Sequence, residues 1–160
     1  METKEKKDLE GLGGWLILVG LGIVLSPLRI VALILPVYKE IFQNGSWQFL
    51  TTPGTEAYNV LWAPVLITEI GVNIMLAAAW IYIAYLFFTK NKLLPKIYIG
   101  VMLFTLVFII LDALAIKMVL PNEPIFDPDT AKELFRSIIA CSIWIPYMLI
   151  SKRVKATFIN

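Results

Sequence analysis

Four apolar runs decide what this chain can fold into. They cover residues 15–35, 61–88, 97–116 and 134–150, and each holds a single charge: Arg29, Glu69, Asp112 and Arg136 in turn. A helix that crosses the hydrocarbon of a bilayer needs about 20 apolar residues, within a range of about 17–25. Inside lipid a helix is the segment that satisfies its own backbone groups. The pattern therefore predicts an all-α membrane protein, a single four-transmembrane-helix bundle over 1–160. Its expected spans are 14–36, 61–88, 97–117 and 130–150. The second run is long. At ~1.5 Å per residue it reaches roughly 42 Å, so it must tilt or protrude. The fourth run is short, but Asp127-Pro128 reads as an N-cap followed by proline at the first helical position, which starts that helix earlier. Pro27, Pro64 and Pro146 are expected to kink their helices.

Composition points the same way. Hydrophobic residues make up 59% and charged ones 16%, and the mean hydropathy is +0.78. Soluble domains carry roughly 45–50% apolar and about 25% charged residues. A soluble unit of this size would leave the surplus exposed in aggregating patches. The chain has no histidine and one cysteine, Cys141. Imidazole chemistry, an intrachain disulfide and a cysteine metal cluster are thereby excluded.

Lysine and arginine set the expected orientation. Lys4, Lys6 and Lys7 precede the first run, Lys90, Lys92 and Lys96 follow the second, and Lys152, Arg153 and Lys155 follow the fourth. The other connections hold only Lys39, Lys117 and Lys132. Positive residues are retained on the cytoplasmic side. Both termini and the inner loop 89–96 are thus expected there, with outer loops at 37–60 and 118–129. The first run, preceded by lysines, resembles a signal peptide. It is too long for one and has no small-x-small site before Arg29, so it reads as a retained span. Phe42, Trp47, Phe49 and Tyr58 in the first outer loop are the kind of residue that rests at a membrane interface.

The four intramembrane charges fall at one level. At ~1.5 Å per residue, Arg29, Asp112 and Arg136 stand about 21–22 Å from the inner ends of their runs, and Glu69 about 12 Å from its outer end. All lie in the outer half of a ~30 Å core. Small and polar neighbours share their faces: Gly22 and Ser26 with Arg29, Asn73 and Ala77 with Glu69, Thr105 and Phe108 with Asp112. Charges at such depth face inward and pair. Arg29 and Arg136 are expected to meet Glu69 and Asp112, with Asn73 beside them. Three readings stay open: internal ion pairs that fix helix order, an outer-facing cavity for a small polar or anionic ligand, and contact with a larger membrane partner.

Little else suggests chemistry. Gly11-Leu12-Gly13-Gly14 precedes an apolar span, lacks a Walker lysine, and reads as a tight start to the first helix. Cys141 has no nearby base and reads as a packing residue. No nucleophile–base pair is visible, so no enzymatic activity, cofactor or metal site is expected, and nothing points to nucleic acid. The basic tail, with Lys152, Arg153 and Lys155 interleaved with Val154 and Phe158, suits anionic headgroups or a cytoplasmic partner.

Several motifs carry a resemblance. They are Gly13-Gly14-Trp15-Leu16, Pro95-Lys96 with Tyr98, Pro146-Tyr147, and Ser151 followed by Arg153-Val154-Lys155 and Thr157-Phe158. Together they resemble the bacterial inner-membrane family catalogued as domain of unknown function 2569, over essentially the whole chain. The resemblance implies a multi-pass protein of the bacterial inner membrane with cytoplasmic termini, and it implies no activity. The functional expectation is a non-enzymatic assembly or accessory component, in contact with membrane lipids, as a homo-oligomer or within a larger membrane complex. The alternative is a protein that binds a small solute or lipid, or a transport component, through the charge cluster.

Overall fold

A computed structural model describes residues 10–159, and the elements among them are all helices. In chain order they are α1 (Trp15–Gln43), α2 (Ser46–Thr51), α3 (Trp62–Phe88), α4 (Leu94–Val119), α5 (Pro128–Ile150) and α6 (Lys152–Thr157). The long helices α1, α3, α4 and α5 are each apolar enough to cross a membrane. Lys4, Lys6 and Lys7 of the basic N-tail lie outside the described residues.

Local chemistry explains the helix ends. Asp127 caps α5: its Oδ1 accepts from the amides of Asp129 and Thr130 at 2.8 and 3.0 Å, and its Oδ2 from the Thr130 hydroxyl at 2.6 Å. The Thr130 hydroxyl and amide, with the Asp129 amide, hold the Asp127 carboxyl below the usual carboxylate range. A depressed carboxyl stabilises the fold above its unfolded value, and this cap weakens only as pH falls through the lowered one. Pro128 takes the first helical position, as the sequence suggests. Pro64 differs from expectation. It sits in the first turn of α3, where its missing amide needs no partner, so it forces no kink. Helix α1 also outruns the expected end at 36, continuing through Pro36 to Gln43. There Gly45, in the left-handed region at φ 76°, turns the chain into α2, and Phe42 stacks on Trp47 at 5.4 Å.

The helices pack as a row rather than a closed ring. α1 lies on α3, α3 on α4, and α4 on α5, whereas α1 and α5 do not pack along their lengths. The row curls so that these two end helices face each other across a seam. Two side-chain contacts bridge it: Arg29 with Glu133, and Trp15 edge-on to Trp144 at 6.4 Å.

Burial is concentrated at the end of the bundle that carries the 89–93 connection and the C-terminal tail. There Leu16, Val19 and Ile23 of α1 meet Ile83, Leu86 and Phe87 of α3 and Leu94 and Tyr98 of α4. Gly20 lets α1 close on α3, because a Cβ there would stand 2.9 Å from the Phe87 ring. Beyond Ile23, α1 has no buried residue. The bundle is tight at its basic end and splayed at the other.

The tail completes that tight end. Helix α6, capped by Ser151, folds back beneath the bundle and buries Val154, Ala156, Thr157 and Phe158. The Thr157 hydroxyl accepts from the Gly11 amide at 3.1 Å and donates to the Gly11 carbonyl at 3.2 Å. Phe158 lies 5.9 Å from Phe87. The Arg153 guanidinium lies over Gly13 and Gly14, so close that a Cβ at Gly13 would stand 3.2 Å from it. Gly14 also has φ 59°, which favours glycine. Of the three basic tail residues, Lys152 and Lys155 face outward while Arg153 packs inward. Thr157→Val should cost about 1–2 kcal/mol by stripping both partners from Gly11, and Thr157→Ser should keep most of it. Thermal unfolding of the purified protein in detergent checks the order; a loss in Thr157→Ser with none in Thr157→Val would assign the effect to packing alone.

Candidate functional site

The splayed end encloses a cavity of about 450 Å³, within the ~300–1,000 Å³ range of small-molecule sites. All four long helices line it. Arg29, Glu69, Asn73, Asp112 and Arg136, the residues singled out by depth, all reach it, and so does Glu133. Tyr98 and Asp112 both line it, and at ~1.5 Å per residue they mark a cavity about 21 Å tall along α4. The far end carries the charges, set among Ile30, Leu33, Ile34, Phe108 and Ile109. The end nearer the tight core is apolar and aromatic, with Leu76, Trp80, Tyr98, Met102 and Trp144. Trp80 and Tyr98 meet edge-to-face at 5.7 Å.

The ion pairing differs from expectation. Arg29 pairs with Glu133 of α5, and Arg136 approaches the same carboxylate at 3.7 Å, one turn along the helix. Neither Glu69 nor Asp112 has a basic partner within ion-pair distance among the described residues. Glu133 escaped the sequence argument because it lies just before the apolar run, in what reads as polar helix above the membrane. Its spacing of three from Arg136 was the available signal.

The two walls differ in kind. On α3, the Asn73 amide nitrogen donates to the Tyr38 hydroxyl at 3.2 Å and to the Glu69 carbonyl at 2.9 Å. What Asn73 offers the cavity is therefore its oxygen. With Glu69 and Asp112 it makes the α3–α4 wall a surface of acceptors. The guanidinium donors stand on α1 and α5. Two of the cavity hydroxyls are occupied locally, Ser26 donating to the Gly22 carbonyl at 2.7 Å and Thr105 to the Val101 carbonyl at 2.9 Å.

Because Glu133 holds both the α1–α5 bridge and the two arginines, Glu133→Gln should lower the unfolding temperature more than Glu69→Gln or Asp112→Asn. Removing one partner strands a charge, and adding Arg29→Gln to Glu133→Gln should recover part of the loss. Unfolding temperatures of the four variants decide it; a larger loss in Glu69→Gln would place the key pairing elsewhere.

Comparison with known proteins agrees with this architecture. The model of the family described as "Protein of unknown function (DUF2569)" matches residues 9–159. The chain is similar to the inner membrane protein YdgK of Escherichia coli (strain K12), 32% identical over 158 residues, which cover 93% of this chain and 94% of the relative. No solved structure matches it. With matches extending over nearly its full length, the chain belongs to the DUF2569 family of membrane proteins.

Proposed function

We propose that this protein is a non-enzymatic binding protein of the bacterial inner membrane, and that its cavity takes a ligand carrying a positively charged amine. The observation that carries this reading is the mismatch of charges. The cavity holds Arg29 and Arg136 against Glu69, Asp112 and Glu133, and the arginines gather on Glu133. Glu69 and Asp112 then face the cavity beside the Asn73 oxygen. An uncompensated charge at such depth costs at least about 2.5–3.5 kcal/mol, which a ligand cation removes. Arg29 is taken by Glu133, and Glu69 and Asp112 would repel a purely anionic ligand, which argues against the anion that the sequence allowed. A metal ion is less well served, since among the described residues no three acidic or cysteine side chains converge.

The cavity favours ligand binding over the assembly role, because tight helix packing for structure alone does not need 450 Å³ of lined space. Hexylamine should raise the unfolding temperature of the purified protein in detergent, and hexanoate should not. Glu69→Gln with Asp112→Asn should abolish the shift. Equal shifts from amine and carboxylate would reject the amine reading.

We also read both termini as cytoplasmic. The basic bias of the sequence supports this, together with the separation of α2 and the 89–93 connection to opposite ends of the bundle. An alkaline phosphatase fusion, active only outside the cytoplasm, should be active after residue 48 and silent after residue 94; the reverse pattern inverts the topology.

A further inference from the structure

The α1–α5 seam, the gradient inside the cavity and the placement of Arg136 together say more about the ligand. We infer that the cavity accepts, from the bilayer and through the seam between α1 and α5, the head and one acyl chain of an amine-headed phospholipid. The inference rests on the amine-binding reading above and adds the class of molecule and its route.

The route follows from packing. α1 and α5 are the two long helices at the ends of the row, and they do not pack on each other. Among the described residues two side-chain contacts span the seam, Arg29 to Glu133 toward the charged end and Trp15 to Trp144 toward the tight end. Between these bridges the α1 wall is built of small residues. Gly22 lines the cavity and has open space where a Cβ would stand, and Ser26 lies one turn further on. A second, shallower apolar groove lies on the same seam. It is lined by Trp15, Ile143, Pro146 and Ile150, and it shares Trp144 with the main cavity. The seam is thus lined by apolar surface past the aromatic bridge, and in a bilayer it faces lipid rather than water.

The class of molecule follows from the order of chemistry along the cavity. A water-soluble amine needs only the charged end. This cavity continues for about 21 Å by helix rise, into a wall of Leu76, Trp80, Met102 and Trp144. An alkyl chain gains about 0.8 kcal/mol for each methylene buried against such surface. At the charged end the acceptor wall of Glu69, Asn73 and Asp112 suits an ammonium. Arg136, exposed on α5 and held only loosely at 3.7 Å from Glu133, suits the phosphate bonded next to it. Acceptors on one wall and a guanidinium on the facing one match a zwitterionic head, whereas an anionic head would meet Glu69 and Asp112 with nothing to offset them. The open seam leaves the second chain in the bilayer.

The test uses the full chain in nanodiscs of phosphatidylglycerol, doped with phosphatidylethanolamine spin-labelled on one acyl chain. Phosphatidylglycerol with the same label is the control. The amine-headed probe should show an immobilised fraction about tenfold above the control. Glu69→Gln with Asp112→Asn should erase that preference. Gly22→Trp, which fills open space in the α1 wall, should reduce immobilised probe while the variant keeps its wild-type unfolding temperature. Gly22→Leu serves the same purpose if the larger side chain fails to fold. Equal immobilisation of the two probes, with hexylamine still stabilising the protein, overturns the lipid inference and leaves the amine site standing. Equal immobilisation with no response to hexylamine removes both. Amine-selective immobilisation that survives Gly22→Trp and Gly22→Leu rejects entry through the seam.

Discussion

The close approach of α1 to α3 at Gly20 and Phe87 is the contact on which the other features depend. It draws Leu16, Val19 and Ile23 into one core with Ile83 and Leu86, and it creates the floor onto which Phe158 of the tail folds. Interhelix packing in lipid gains little from the hydrophobic effect, because lipid tails are as apolar as leucine, and it relies on close fit at small residues. Here that fit is confined to one end. A four-helix row pinned at one end and capped by its own tail can splay at the other without coming apart, and the splay is the cavity.

Two kinds of bridge then hold the ends of the row in reach of each other. The aromatic one, Trp15 against Trp144, sits near the tight end and is supported by Tyr147, 5.9 Å from Trp144. The ionic one, Arg29 with Glu133, sits at the splayed end. It closes the ring where backbone packing does not. Its two side chains are 40% and 39% exposed, so the pair is part-solvated and holds the seam less firmly than a buried pair would. A seam closed by side chains alone is a place where the bundle can open with its core intact. The core, the cavity and the seam are three results of one uneven distribution of packing.

The tail gives physical meaning to motifs that look unrelated in the sequence. Gly13-Gly14 leaves room for the Arg153 guanidinium, Gly11 pairs with Thr157, and Ser151 caps α6 through the amide of Val154. These residues stand at opposite ends of the chain, and the fold makes them one layer. In the sequence the same tail reads as a basic strip suited to headgroups. Lys152 and Lys155 keep that possibility on the outward face, while Arg153, Val154, Thr157 and Phe158 are used internally.

Some of this was legible in the residues and some was not, for a definite reason. The four spans, the Asp127 cap and the common depth of Arg29, Glu69, Asp112 and Arg136 are properties of single segments. Hydropathy, capping chemistry and helix rise act along one helix at a time. They hold whatever the neighbours are, and they placed all four charges where the cavity lies. Which carboxylate meets which arginine is a property of two helices and their rotation. Pairing by depth alone favoured Glu69 and Asp112, while the row of helices brings α5 back across from α1 and gives both arginines to Glu133. The docking of the tail likewise depends on a groove that exists only once α1 and α3 have closed at Gly20. Sequence determined the spans and the level of the charges; the order in which the helices pack decided the pairing, the seam and the cavity, because those depend on distances between segments that no local pattern encodes.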